Sequence, residues 1–254
     1  MISWTYIYGL VRSSETHPVV AQPIVNPDAE LRFVVVGEVA ALVSQVPSDD
    51  VTANRRNMMT HTRVLEVAMQ DRTIVPARFG MIAASEGHVL RGLKPQTNKL
   101  MGMLDDLDER IEAGIRMTWD QPMLIAEVVR ETPKLAKLAE QMRKKTEAEG
   151  YYDRIDLGRM TDEALKAKRD KEAASILNRL ATHAVRKVAL PPGEDMVMLN
   201  AALLLDRSQE RAFINEVEAI ERENGDRLRI KVVSPVPAYK IGRASCRERV
   251  CSTV

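Results

Sequence analysis

The stretch MVMLNAALLLD, residues 196–206, is the one on which the fold turns. It is closed by an aspartate, and it reads as a continuous apolar strand. Its neighbours read with it. Before it, VRKVAL (185–190) is a short strand stopped by Pro191-Pro192-Gly193. After it, Asp206 with Gln209 looks like a helix N-cap and its partner. Phe213, Val217 and Ile220 then repeat at helical spacing, and Asn224-Gly225 ends that helix. LRIKVV (228–233) is the last strand. Upstream, GIRMTWD (114–120) alternates Ile115, Met117 and Trp119 against Arg116 and Thr118, the pattern of a half-buried strand. A helical segment covers 121–145 and a charged break, KKTEAEG, runs to Gly150. A long helix covers 151–184, with Ile155, Leu165, Ile176, Leu177 and Leu180 among many charges.

In order, residues 114–234 run β-α-α-β-β-α-β. That is the ferredoxin-like order with extra helix in its first crossover, and it predicts an antiparallel four-stranded sheet. The first half is a different α+β arrangement. A strand covers Trp4 to Val11, followed by a proline-bearing loop, RSSETHPVVAQPIVNPDAE. LRFVVVGEVAALVSQV (31–46) makes one or two strands broken near Gly37. Asp49, Asp50 or Thr52 caps a helix running to about Gln70, with the stripe Met58, His61, Leu65, Ala68 and Met69. A further helix carries Leu93, Leu100, Leu104, Leu107 and Ile111, and Pro95 starts or kinks it. The expectation is α+β in two domains: 1–113, and a ferredoxin-like 114–240 with a long helical insertion.

The last stretch, IGRASCRERVCSTV (241–254), changes composition abruptly and has no strand or helix period. It resembles the translation of a sequencing adapter and is read as a non-native tail in place of the native C-terminus. It holds both cysteines, Cys246 and Cys251, so neither a disulfide nor a metal pair is expected in 1–240. Setting aside its three Arg and one Glu leaves 34 basic against 35 acidic residues. A chain so balanced is not expected to bind nucleic acid or a membrane surface. No apolar run approaches the ~20 residues of a membrane span. Absence of cysteine, and an N-terminus that reads as a strand, fit a cytoplasmic protein.

Chemistry is hard to place. His17, His61, His88 and His183 show no metal-ligand spacing, and His61 on an apolar stripe reads as a core histidine. The acid pairs Asp105-Asp106, Asp108-Glu109 and Glu194-Asp195 read as a solvated face and a turn. No phosphate-binding glycine loop or nucleophile elbow occurs, so no cofactor, metal or catalytic set is expected. The two strands 196–206 and 228–233 lack the aromatics that stack RNA bases. Thirteen methionines outnumber the aromatics, as suits irregular core gaps or adaptable binding surfaces. The run Lys166, Lys168, Arg169, Asp170, Lys171 and Glu172 reads as a solvated face or a projecting arm.

RTIVPARFGMI (72–82) raises the functional question. Pro76 confines it to an edge strand or a bend, Gly80 permits a kink after Phe79, and Arg78 suits pinning a loop or a partner carboxylate. A structural edge strand is favoured over a docking surface, and an active-site turn comes last.

Five co-linear segments together resemble the gas vesicle protein F/L family: YIYGLV, HTRVLEVAMQDRTIVPARFGMI, YYDRIDLGRMTDEAL, GEDMVMLNAALLLDR and RIKVVSPVPAYK. The resemblance spans residues 3–240 and implies two α+β domains, the second ferredoxin-like. It implies a cytoplasmic, gas-vesicle-associated accessory or minor structural protein that is not an enzyme. Its implied partners are the small hydrophobic shell protein and other gas vesicle accessory proteins. The family's terminal Pro-Pro-Tyr stands here as Pro237-Ala238-Tyr239, and the aromatic expected after it is lost to the tail. Candidate protein-binding residues are therefore Arg78, Phe79, Pro237 and Tyr239. The alternative is a small-molecule-binding regulator or an enzyme on a ferredoxin-like domain.

Overall fold

A computed structural model describes residues 4–144, 146, 150–193 and 196–241. The Glu194-Asp195 pair, most of the charged break at 144–150, and the expected non-native residues from 242 onward with Cys246 and Cys251 lie outside the described residues. The chain forms two compact units. Of the described residues, one comprises 4–112 together with 234–241; the other lies within Ala113–Val233. Residues 234–241 thus group with the first unit, whereas the sequence pattern assigned everything from 114 to 240 to the second.

The first unit is a five-stranded sheet with three helices. Its strands are β1 (Trp4–Arg12), β2 (Arg32–Val36), β3 (Val39–Val46), β4 (Val75–Pro76) and β5 (Ile82–Ala83), in the order β2-β3-β1-β4 with β5 also on β1. β2 and β3 form a tight antiparallel hairpin in which Val36 pairs with Val39. Gly37 supplies its positive φ of 62°, a backbone state in which a Cβ is costly. β1 is the centre, and a bulge at Tyr8 interrupts its register with β3 between Ile7 and Gly9. Gly9 is there because β4 passes so close: a Cβ would lie 2.9 Å from both the Val75 carbonyl oxygen and Ile74 Cγ1.

Local chemistry sets the helices. Helix α1 (Arg55–Ala68) is capped by Asn54, whose side chain accepts from Asn57 N at 2.9 Å, and not by Asp49, Asp50 or Thr52. Its buried face is His61, Val64, Leu65 and Ala68, while Met58 is half exposed. The expected single helix over 93–111 is divided at Pro95 into α2 (Glu86–Leu93) and α3 (Thr97–Leu107). Ile111 belongs to the following strand, because Asp108 and Glu109 leave the helical region first.

The second unit contains β6 (Arg110–Trp119), which begins in the first unit, then α4 (Gln121–Glu131), α5 (Pro133–Met142), α6 (Tyr151–Leu180), β7 (Arg186–Ala189), β8 (Val197–Asp206), α7 (Glu210–Asn224) and β9 (Leu228–Val236), whose last three residues count with the first unit. The sheet order is β7-β8-β6-β9. β8, the stretch quoted at the outset, is buried along its length except at Asn200 and Asp206. Asp206 leads into a 3-10 turn, 207–209, and forms no side-chain cap there. The helical segment expected over 121–145 breaks at Thr132-Pro133, since proline disfavours the helical region for the residue before it. The charged run on α6 is not wholly solvated. Lys168 pairs with Glu127 at 3.4 Å, Glu131 at 2.7 Å and Glu172 at 3.2 Å, and Arg227 pairs with Glu127 and Glu172 at 2.7 Å each. This network ties α4 and α6 to the turn before β9.

Candidate protein-contact surface

The sequence-selected residues lie in the first unit, and β1 and α1 organise their surroundings. β1 buries Tyr6 and Tyr8 completely, with ring centroids 4.9 Å apart. His61 reaches the same place from α1: Tyr6 Oη is 2.9 Å from His61 Nδ1, and the Tyr8 ring stacks on the imidazole at 5.7 Å. The Tyr6 hydroxyl also accepts from Gly80 N at 3.1 Å. Nε2 is buried with no hydrogen-bond partner among the described residues. Burial drives the His61 pKa down from 6.5 to about 4, and the Ala77 backbone offsets this only in part. Burial also pushes the Tyr6 and Tyr8 phenols above the usual tyrosine range. His61 is therefore a neutral core histidine at pH 7, as the stripe suggested.

The four candidates separate by direction. Phe79 is half buried, edge-on to His61 at 5.8 Å and to Tyr6 at 6.3 Å. Tyr239 is half buried with its ring 6.2 Å from His61, and Pro237 is buried. The structure thus brings Phe79 and Tyr239, distant in sequence, to one histidine. Arg78 is exposed, and its side chain has no hydrogen bond or ion pair among the described residues. It pins no loop; Arg72 does that. Only 1% of the Arg72 side chain is exposed. It donates Nη1 to the carbonyl oxygens of Glu15 at 3.0 Å and His17 at 2.9 Å, pairs with Asp71, and lies 5.6 Å over the Phe33 ring.

The stretch 72–82 is not one strand. β4 and β5 are two-residue bridges to β1 on either side of a turn over 78–81, closed by Met81 N donating to Arg78 O at 3.2 Å. Tyr6 from one side and Ile7 N to Met81 O at 2.9 Å from the other fix this turn.

Glu112 is a residue that the sequence pattern missed. It is buried, and its Oε2 accepts from both Lys240 N and Ile241 N at 2.9 Å, fastening the returning C-terminal segment. Burial raises its carboxyl pKa, while the two amides pull it back. A glutamate on the polar phase of an alternating strand carries no signal of such a role. Among the described residues no group of three or more His, Cys, Asp or Glu is placed to hold a metal ion, and no helix is long and apolar enough to cross a membrane. The arrangement is an aromatic cluster in which Tyr6, Tyr8, Phe79 and Tyr239 surround His61.

Comparison with known proteins gives this arrangement a context. The family model "Gas vesicle synthesis protein GvpL/GvpF" matches residues 4–240. Gas vesicle protein F of Streptomyces sp. (strain CB03234) is 29% identical over 241 residues, 92% of this chain and 98% of that protein. Gas vesicle protein F of Nostoc sp. (strain PCC 7120) is 25% identical over 249 residues, 96% of this chain and 100% of that protein. The crystal structure of GvpF from Anabaena sp. PCC7120 superposes with a TM-score of 0.82 at 23% identity, covering 94% of this chain and 98% of that one. GvpF from Microcystis aeruginosa gives 0.77 at 24%, covering 95% and 99%. The mixed helix-and-sheet fold is shared with both.

Proposed function

The chain belongs to the gas vesicle synthesis protein GvpL/GvpF family, and from that premise we propose that it is a non-catalytic accessory or minor structural protein of gas vesicle formation. In this reading it is cytoplasmic or vesicle-associated and binds the small hydrophobic shell protein and other gas vesicle proteins. The observation that carries it is the family match across residues 4–240, nearly the whole described chain. A physical rationale supports the binding role. A small shell subunit with a strongly apolar face aggregates when left uncovered, and a soluble partner with adaptable apolar surface prevents this.

The two compact units are read as two α+β domains, the second a modified ferredoxin-like fold. Its sheet order supports the reading. In the unit's own count the order is 2-3-1-4, which a β-α-β-β-α-β chain gives when its crossovers interleave the strands. Helices α4, α5 and α6 all lie in the first crossover, where the plain order has a single helix, and the excess is the insertion.

The test is co-expression of the full chain with the small shell protein, followed by affinity capture and size-exclusion chromatography. A soluble complex is expected. Shell protein that stays aggregated while this chain elutes alone would sink the binding claim. Normal vesicles in a host lacking the gene would sink the role in vesicle formation.

A further inference from the structure

Each of the two sheets ends in two edges, and three of the four are blunted. In the second sheet β9 carries Arg229, Lys231 and Pro235, while β7 carries Arg186 and Lys187 and runs into Pro191-Pro192. In the first sheet β4 and β5 are two-residue bridges, and β4 holds Pro76. Basic residues, proline and brevity are means by which proteins keep a sheet edge from pairing with another chain. The remaining edge, β2, reads Arg32-Phe33-Val34-Val35-Val36, and its one charge is engaged by Glu86.

The register shows which backbone groups of β2 stay open. Only Gly37 and Glu38 separate Val36 from Val39, so 36–39 is a hydrogen-bonded pair, and the alternation continues to 34–41 and 32–43. Ser13 N donates to Glu38 O at 2.8 Å, which gives the same phase, because it turns Glu38, and with it Ala40 and Leu42, toward β1. Phe33 and Val35 therefore point their N–H and C=O groups away from β3, and these groups have no hydrogen-bond partner among the described residues. Both faces of the strand are accounted for. Arg32 and Val34 point to the side of α2, where Glu86 pairs with Arg32 and Val89 packs in one cluster with Val34. Phe33 points to the other side, with the Arg72 guanidinium 5.6 Å over its ring. Val35 shares that side and is 51% exposed.

We propose that β2 pairs with β2 of a second copy of this chain, antiparallel and centred on Val34, joining the two first-unit sheets edge to edge. In that register Phe33 of each copy faces Val35 of the other, and each such pair exchanges both of its backbone bonds. The open groups of one chain thus satisfy those of the other. The side chains match as well. Phe33 meets Val35 on one side and Val34 meets Val34 on the other, and aromatic and β-branched neighbours of this kind stabilise cross-strand contacts. Arg32 faces Val36, so no like charges meet. Registers centred on Phe33 or on Val35 keep the phase but set one open residue against chain outside the strand. So short an edge makes a small contact, and small contacts are weak, so the dissociation constant is set on the order of 0.1 mM. At that value about four-fifths of the chains are paired at about 1 mM and under about a fifth at about 10 µM. Self-pairing goes beyond the accessory role and does not depend on it.

The experiment uses the full chain. Sedimentation equilibrium between about 10 µM and 1 mM reads the association, and residue-resolved amide exchange at the two ends of that range reads its location. A monomer–dimer equilibrium is expected. Exchange of the Phe33 and Val35 amides should slow about fourfold at the higher concentration, while the Val34 and Val36 amides, already bonded to β3, change little. Val35→Pro removes an outward N–H and leaves the β2–β3 bonds alone, so it should weaken association about tenfold or more at an unchanged urea midpoint. Val35→Lys serves in case proline disturbs folding, and should act in the same direction. A chain that stays monomeric at the highest concentration overturns the inference. So does a dimer in which Phe33 and Val35 gain no protection, or one that Val35→Pro and Val35→Lys leave as tight as wild type. Protection of these two amides only after another gas vesicle protein is added would give the edge to a different partner and overturn self-pairing.

Discussion

Acidification should destabilise the first unit through one side chain, His61. The imidazole is enclosed by Tyr6, Tyr8, Phe79 and Tyr239, and its pKa is lowered from 6.5 to about 4, chiefly by burial. The folded state therefore binds a proton less readily than the unfolded chain. Its stability contribution is complete above pH 6.5, falls as pH drops from 6.5 to 4, and is gone below that. At about 1.4 kcal/mol per pKa unit, the whole window is worth roughly 3 kcal/mol and the drop from pH 7.5 to 5 about 2 kcal/mol. The measurement is native-state hydrogen exchange of the β1–β3 amides, which reports opening of this unit specifically. Wild type is compared with His61→Gln at both pH values. Carboxylate titrations common to the two proteins cancel in the difference. His61→Gln should be the less stable by about 1 kcal/mol at pH 7.5. Its disadvantage should vanish or reverse at pH 5. A wild-type-minus-variant difference that is the same at both pH values would refute the assignment of His61 as a neutral buried base.

Two further perturbations address the same unit. Glu112→Ala removes the acceptor for the Lys240 and Ile241 amides, and leaving buried donors unpaired should cost about 2–4 kcal/mol. Limited proteolysis should then cut first in the segment after Ser234, whereas unchanged protection there would show that Glu112 does not hold it. Gly9→Ala drives a Cβ to 2.9 Å from the Val75 carbonyl oxygen and should cost about 1–3 kcal/mol, read as a lowered urea midpoint. An unaltered midpoint would mean that β4 moves away from β1 freely.

Much of the fold was legible because its signals are local. The alternation of Ile115, Met117 and Trp119 set β6, and all three are buried. The stripe Phe213, Val217 and Ile220 set α7, and Gly225 with its positive φ ends it. Errors fell where a short-range rule competed with a longer pattern. Leu107 and Ile111 fit one helical stripe, yet the chain turns at Glu109, whose φ is 52°, and Ile111 becomes a strand residue. Asn54 outcompeted three plausible caps because only it directly precedes α1. The site was less legible, because its signals are not local. Nothing near Glu112 announces that its carboxylate meets amides 128 and 129 residues further along. Nothing near Arg72 distinguishes it from Arg78, although one is enclosed by backbone carbonyls and the other faces solvent.

That last contrast turns the choice between a structural edge and a docking surface into a separate question for each residue. Pro76 occupies β4 where it pairs with Gly9 of β1, a pairing that uses only two residues and suits a residue without an N–H. Phe79 turns inward to His61 and Tyr6, so its replacement reports on folding. Arg78, one residue earlier, turns outward without a partner among the described residues, so its replacement should leave stability within about 0.5 kcal/mol. Tyr239 belongs with Phe79, on the inner side against the same imidazole. Substituting the motif as a block would mix the two effects. Arg78→Ala and Phe79→Ala, measured separately for urea midpoint and partner capture, would keep them apart. A large stability loss from Arg78→Ala would return Arg78 to the structural edge, and a loss of partner capture at an unchanged urea midpoint would assign it to docking.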